Sequence, residues 1–156
     1  ERLVRWASEI GGRYMGAARA GDGGRRDGGP GELLVVVAPT RGIGALDIAE
    51  VDARVSRIVD LKAPGSGEEA RNLAANLKHL NAGDELKIVL ADEADYQWAR
   101  KRIADDDLAA RCSVLLSPVA GQLDATALAE WIVRDRLPVR FQLQLHKLLW
   151  NDARGR

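Results

Sequence analysis

The sequence contains a single cysteine, Cys112, among its 156 residues. One cysteine excludes a disulfide within the chain, and it excludes a metal site or cluster built from several thiolates of this chain. The formal net charge is +0, from 23 Lys and Arg against 23 Asp and Glu, which argues against a general nucleic-acid-binding protein. No apolar run approaches the roughly 18 residues of a membrane helix, and no apolar signal segment is visible. We therefore expect a cytoplasmic protein without direct contact to nucleic acid or membrane.

Glycine is concentrated at the start of the chain, where about 11 of the 16 glycines precede residue 45, against a background of roughly 7%. Residues 20–31 are too rich in glycine to pack a core, although residues 1–20 could form a short helix. From Gly44 onward the composition is regular. The sequence therefore predicts an atypical segment over 1–43, disordered or displaced in reading frame, and a folded domain over 44–156.

Apolar runs of strand length alternate with helical patterns along the folded part. Strands are predicted at 33–38, 57–62, 85–91, 113–117 and 139–149. A capping box from Ser66 to Glu69 followed by leucines at heptad-like spacing predicts a helix that ends near Leu80. Further helices are predicted over 96–103, with Asp92 or Asp95 as the cap, and over 125–134 behind Asp124. This alternation is typical of βαβ units and a parallel sheet, either a partial barrel or an open sheet.

Polar residues follow several of the predicted strands. In parallel α/β folds the ligand lies beyond the carboxyl ends of the strands, which here are Asp60 to Lys62, Asp92, 117–120 and 146–147. The alternative is that these residues are polar only because chains turn there. Asp60 and Lys62 share a strand face, so they form either an ordinary ion pair or a cation directed at a ligand carboxylate or phosphate.

The last predicted strand has one apolar and one polar face. Val139, Phe141, Leu143 and Leu145 alternate with Arg140, Gln142, Gln144 and His146. The apolar face is expected to pack on helices. The polar face lies either in solvent at a sheet edge or against a ligand cavity, and glutamine and histidine suit a neutral heterocycle. We favour the cavity.

Several segments resemble the middle and end of the 7-carboxy-7-deazaguanine synthases. The resemblance covers residues 44–156, and its most specific parts are the DLKAPGSGE run at 60–68 and the QLQLHK run at 142–147. Supporting segments lie at 44–48, 51–59, 76–77, 84–89, 95–99, 116–119 and 121–124, and the QLQLHK run belongs to a longer terminal segment, 139–150. The fold implied is the C-terminal half of a partial (β/α) barrel of the radical S-adenosylmethionine type, with mostly parallel strands.

The resemblance also implies an activity and a set of ligands. Such synthases are lyases that convert 6-carboxy-5,6,7,8-tetrahydropterin to 7-carboxy-7-deazaguanine on the route to queuosine, a modified nucleoside of tRNA, and related 7-deazapurines. They use S-adenosylmethionine, a [4Fe-4S] cluster and Mg²⁺, and they form homodimers. Transferred to this chain, the resemblance places one group of residues at S-adenosylmethionine and a second near the substrate. The first group is Asp60, Lys62, Ser117, Pro118, Val119 and Ala120, and the second is Gln144 and His146.

The chain departs from the family pattern at its start. The C-x-x-x-C-x-x-C arrangement and the GGEP motif have no counterpart, and only the glycine of an E-T-S/N-G strand end survives, in Arg41-Gly42-Ile43-Gly44. We therefore expect no cluster, no metal ligand, no catalytic residue and no activity from this chain alone. One explanation is a frameshift upstream of Gly44. The alternative is a non-enzymatic half-barrel that binds nucleotides or a partner protein.

Overall fold

The computed structural model describes residues 18–19, 33–37, 47–51 and 56–144. Six strands form one sheet in the order of the sequence. They are β1 (Ala18–Arg19), β2 (Leu33–Val37), β3 (Ser56–Lys62), β4 (Glu85–Leu90), β5 (Ser113–Pro118) and β6 (Arg140–Phe141). β1 is antiparallel to β2, and every other neighbouring pair is parallel. The predicted α/β fold with mostly parallel strands is confirmed.

The sequential strand order decides between the two sheet architectures that the sequence leaves open. From β2 to β6 each strand lies beside its predecessor, so the direction of winding never reverses. Because crossovers between parallel strands are right-handed, this winding places the connecting segments on one face of the sheet. That arrangement is typical of a partial barrel, and the described sheet is not closed. An open sheet covered by helices on both faces would need a reversal of order.

Three α-helices lie between the later strands: α1 (Glu93–Asp105), α2 (Leu108–Arg111) and α3 (Ala125–Arg134). Asp92 caps α1 by accepting a hydrogen bond from the amide of Asp95, and Asp124 caps α3 through the amide of Ala127. The predicted helices at these places are confirmed, although α1 begins three residues before Tyr96. Among the helices of the described ranges, none is long and apolar enough to cross a membrane.

The predicted helix after Ser66 is wrong. Residues 64–79 instead form three short 3₁₀ segments, Pro64–Ser66, Glu69–Arg71 and Ala74–His79. The Ser66 hydroxyl donates to the carbonyl of Ala63 and accepts from the amide of Glu68, so the capping box does not form. Gly67 then adopts a left-handed conformation with φ of 67°, which ends the first turn.

Strand alternation separates a buried face of the sheet from a second, mostly half-buried face. In β3 and β4 every second residue is buried, as with Val59, Leu61, Leu86 and Ile88. These side chains pack on the apolar sides of α1 and α3, which contribute Tyr96, Ala99, Ile103, Leu128 and Ile132. Trp98 and Trp131 lie partly buried against this core.

At the two ends of the chain, fewer of the sequence predictions can be compared with the structure. Residues 1–17 lie outside the described residues, and Ala18–Arg19 is a strand rather than the end of a helix. The predicted strand over 139–149 is confirmed only at Arg140–Phe141, and residues after 144 are not described. Val139 packs against the core, but Phe141 is 38% and Leu143 40% exposed, so the expectation that this whole face packs on helices is wrong. The domain boundary at residue 44 stays a prediction.

A buried ion pair joins the beginnings of β3 and β4. The Arg57 guanidinium donates to both carboxylate oxygens of Asp84, over 2.9 and 2.5 Å, and the Arg57 amide donates to the same carboxylate. The guanidinium also donates to the carbonyls of Ile48 and His79. Both side chains are at most 5% exposed. The pair therefore fastens the preceding loops to the sheet.

Removing one charge of this pair will destabilise the fold strongly. Asp84→Asn leaves the Arg57 guanidinium buried without a counter-charge, and we expect the free energy of unfolding to fall by about 3–5 kcal/mol. Urea titration followed by circular dichroism measures the loss. The control is Asp105→Asn, because Asp105 forms an exposed pair with Lys101 that contributes less than about 1 kcal/mol. Equal stabilities of the two variants would contradict the proposed importance of the buried pair.

A second set of polar contacts, made by Tyr96, holds α1 against the end of α3. The Tyr96 hydroxyl lies 2.9 Å from a carboxylate oxygen of Asp135 and 2.9 Å from the carbonyl oxygen of Trp131, so its single hydrogen is shared between these two acceptors. Burial, with the neighbouring carboxylate, raises the pKa of Tyr96 from 10.0 to about 12. The guanidinium of Arg134 and the Tyr96 hydroxyl hold the pKa of Asp135 well below its usual range.

The raised pKa of Tyr96 predicts a loss of stability in alkali. Above pH 10 the unfolded chain releases this proton while the folded chain keeps it, until the pH reaches about 12. The stabilisation is thus complete below pH 10 and is lost as the pH rises toward 12. Urea midpoints measured across this range should fall for the wild type and fall less for Tyr96→Phe. Parallel curves for the two proteins would refute this assignment.

Candidate functional site

The candidate site lies where β3, β4 and β5 end. The strand register places Lys62 beside Val89 and Val89 beside Ser117. Residues aligned in this way share one face of a sheet, and strands two apart are separated by about 10 Å. Lys62 and Ser117 therefore lie on the same face, opposite the hydrophobic core, on either side of β4.

At the end of β3, Asp60 and Lys62 form an ion pair of 2.6 Å between Oδ2 and Nζ. Their side chains are 18% and 26% exposed, so the pair is sheltered. The second carboxylate oxygen of Asp60 is buried and has no hydrogen-bond partner among the described residues. Asn72 fixes the backbone of Lys62 on both sides, because its amide group accepts from the Lys62 N–H and donates to the Lys62 carbonyl.

The turn after β5 supplies the second part of the site. Ser117 is fully buried, and its hydroxyl oxygen has no hydrogen-bond partner in the part of the chain that the structure describes. Val119 donates its amide to the carbonyl of Leu90 over 2.8 Å, which ties this turn to the end of β4. Buried polar atoms usually find partners, so an unpartnered hydroxyl near the strand ends is a candidate contact for a ligand.

A cavity of about 460 Å³ opens between this turn and the segment after β6. Its lining includes Pro118, Ala120 and Gln144, together with Leu143 and residues 121–125. The structure thus brings three residues of the sequence prediction into one pocket. Asp60, Lys62, Ser117 and Val119 are not among its lining residues, and His146 lies outside the described residues. The ligand roles of all eight stay predictions.

Sequence reasoning assigned Asp95 only a possible role as a helix cap and missed its place beside the site. Asp95 is 2% exposed, and its two carboxylate oxygens accept the amides of Gly65 and Ala91. It therefore joins the loop after β3 to the loop after β4. A side chain at Gly65 would meet the Asp95 carboxylate at 2.5 Å, so this contact requires glycine.

The described residues do not fit an iron–sulfur cluster. Within the described ranges no group of three or more His, Cys, Asp or Glu side chains is arranged to hold a metal ion. Cys112 is 6% exposed, and burial raises the pKa of its thiol to about 11. A thiol that stays protonated and buried is a poor cluster ligand, and Cys112 instead packs as a small apolar residue of the core.

The fold and site define a singly wound parallel α/β protein with its pocket at the carboxyl ends of the strands. Three curated relatives carry the name 7-carboxy-7-deazaguanine synthase. The protein of Chlorobaculum tepidum is 53% identical over 116 residues, which cover 72% of this chain and 53% of that protein. Those of Koribacter versatilis and Leptospira interrogans are 38% and 37% identical, over 69% and 72% of this chain and 54% and 48% of the relative.

The matched part of this chain is homologous to the 7-carboxy-7-deazaguanine synthases, so the resemblance seen in the sequence is confirmed. The chain spans about half the length of the curated relatives that it matches. No protein-family model matches the chain. No solved structure matches it significantly.

Asp95→Asn tests whether this carboxylate holds the two loops of the site together. An amide group can accept only one of the two backbone N–H bonds and presents a donor to the other. We expect the free energy of unfolding to fall by about 1–3 kcal/mol. Hydrogen exchange at the amides of Gly65 and Ala91 should accelerate more than exchange in the strands. Glu93→Gln, at an exposed position of the same helix, is the control. Unchanged exchange at both amides would disprove the role.

Proposed function

We propose that this chain forms part of the ligand site of a 7-carboxy-7-deazaguanine synthase, a lyase of the radical S-adenosylmethionine type. In this proposal it binds S-adenosylmethionine and the substrate 6-carboxy-5,6,7,8-tetrahydropterin, which is converted to 7-carboxy-7-deazaguanine. The observation that carries the proposal is the cavity beside β5, which gathers Pro118, Ala120 and Gln144 in a homologue of these enzymes. A cavity of this size suits a ligand of a few hundred daltons.

The unpartnered polar atoms support the same proposal. Asp60 Oδ1 and Ser117 Oγ are buried and lie on one face, and within the described ranges neither atom has a hydrogen-bond partner. A ligand rich in hydroxyl and N–H groups, such as a nucleoside or a pterin, would satisfy both atoms. The α3 N-terminus borders the cavity, and the Asp124 carboxylate there already accepts the amide of Ala127. The recognition proposed here therefore depends on side chains and on the turn after β5.

The cysteine content of the chain limits the role that it can have in such an enzyme. With Cys112 as its one cysteine, the chain supplies no set of thiolates for a [4Fe-4S] cluster, so the ligands of such a cluster would have to come from outside it. The same observation favours a second candidate function, a binding module without catalysis. Both candidates bind the organic ligands, and turnover separates them. A homodimer and a cytoplasmic location stay predictions.

Ligand binding after blocking of the cavity tests the proposal. Isothermal titration calorimetry with S-adenosylmethionine should give saturable binding to the wild-type chain. Ala120→Trp fills the cavity from an exposed position and should weaken binding at least about tenfold, since a bulky ring displaces ligand contacts. Ala104→Trp, at an exposed position on α1, is the matched control and should bind like the wild type. Failure of the wild type to bind either S-adenosylmethionine or 7-carboxy-7-deazaguanine would contradict the proposal.

A further inference from the structure

The sheet face opposite the hydrophobic core carries an unusual arrangement of charges. We call it the polar face, and its charged residues come from β3, β4 and β6. Along one row of the register Asp60 lies beside Lys87, Lys87 beside Leu115, and Leu115 beside Arg140. Lys62 and Glu85 lie on the same face, two residues from Asp60 and from Lys87 respectively.

Two ion pairs on the polar face are complete. Lys62 Nζ contacts Asp60 Oδ2 over 2.6 Å, and Arg140 contacts Glu85 across β5 over 3.0 Å. The remaining cation is Lys87, whose side chain has no ion pair or hydrogen bond within the described part of the chain. Among the described residues of this face, three cations thus accompany two carboxylates, and the excess positive charge belongs to the residue between the two pairs.

Lys87 is half-buried on a central strand, where it cannot be treated as an ordinary surface lysine. Removing a cation from water without a counter-charge costs free energy, so such a group is expected to have an anionic partner in the functional state. The partner does not come from the described residues. Asp60, its neighbour in the register, already bonds Lys62 through one oxygen and leaves the other unpartnered.

The unpartnered atoms lie around Lys87. Asp60 is opposite Lys87 on β3, and Ser117 is diagonal to it on β5, at a Cα separation of about 7–8 Å. The arrangement therefore combines one cation, one buried carboxylate oxygen and one fully buried hydroxyl. Such a set matches a ligand that carries both an anionic group and hydrogen-bond donors.

We propose that Lys87 binds a carboxylate of the organic ligand, while Asp60 Oδ1 and Ser117 Oγ bind its polar groups. This inference rests on the proposed function and names a residue that the resemblance does not assign. Three ligands of that function carry a carboxylate: the tetrahydropterin substrate, the deazaguanine product and S-adenosylmethionine. The carboxylate is the chemistry that Lys87 recognises. The experiment separates the carboxylate that substrate and product share from the carboxylate of S-adenosylmethionine, with the product as the probe of the first.

The test compares each ligand with a counterpart that lacks the carboxylate. Calorimetry measures 7-carboxy-7-deazaguanine against 7-deazaguanine, and S-adenosylmethionine against 5′-methylthioadenosine, on the wild type and on Lys87→Gln. A charged hydrogen bond lost at this site should cost the variant about ten- to hundredfold in affinity for one carboxylated ligand. Affinity for its counterpart should stay unchanged. The ligand pair whose difference in affinity decreases in Lys87→Gln identifies the carboxylate that Lys87 binds.

Lys78→Gln is the matched control, because Lys78 is an exposed lysine on the 3₁₀ segment Ala74–His79. It should behave like the wild type with all four ligands. If Lys87→Gln keeps the full preference for both carboxylated ligands, the inference is wrong and the proposed function survives. If the wild type binds neither carboxylated ligand, the inference and the proposed function are both wrong. Urea titration of Lys87→Gln separates an affinity loss from unfolding.

Discussion

The buried contact between Arg57 and Asp84 is the constraint on which the rest of the structure depends. It closes the amino-terminal edge of the sheet by joining β3, β4 and the loops before them. The carboxylate of Asp84 also accepts the amide of Asn81, and its main-chain carbonyl accepts the amide of Ser113 at the start of β5. A buried ion pair loses much of its stabilisation when its partners move apart. The Arg57–Asp84 pair therefore fixes the register of β3 against β4, and this register determines which residues meet at the opposite edge.

At the opposite edge, side chains rather than regular secondary structure hold the loops. Asn72 holds the backbone of Lys62, and Asp95 holds Gly65 and Ala91. These contacts leave the side chains of the site available for a ligand, because the loops are held through their main chains. The division is typical of parallel α/β proteins, in which one edge provides stability and the other binds ligands.

Much of the fold follows from patterns within the sequence. The period-2 runs locate β2 to β5, and the aspartates before α1 and α3 mark the starts of these helices. The segment after Ser66 is different because its conformation depends on a contact distant in sequence. Asn72 forms hydrogen bonds with the main chain of Lys62, and Gly67 adopts a left-handed conformation. The helix that the local sequence pattern predicts therefore does not form. Spacing alone does not reveal such a contact.

The site is predictable only in part, for a related physical reason. The positions of Asp60, Lys62 and Ser117 at strand ends follow from the alternation of strands and helices. The lack of an ion-pair partner for Lys87 among the described residues does not follow from that alternation. It depends on the register between strands and on which neighbouring residues already form ion pairs. Likewise the pocket exists only because the chain after β6 returns beside the turn at Ala120.

The proposed function places ligands of the synthase at the carboxyl-terminal edge of this sheet. Backbone NMR spectra of the chain, recorded during titration with S-adenosylmethionine, measure where the ligand binds. We expect shift changes to concentrate at the ends of β3 and β5, around Lys62, Val119 and Ala120. Amides near Arg57 and Asp84, at the other edge, should stay unchanged. Changes confined to that other edge, or no changes at all, would show that the ligand does not bind at the carboxyl-terminal edge.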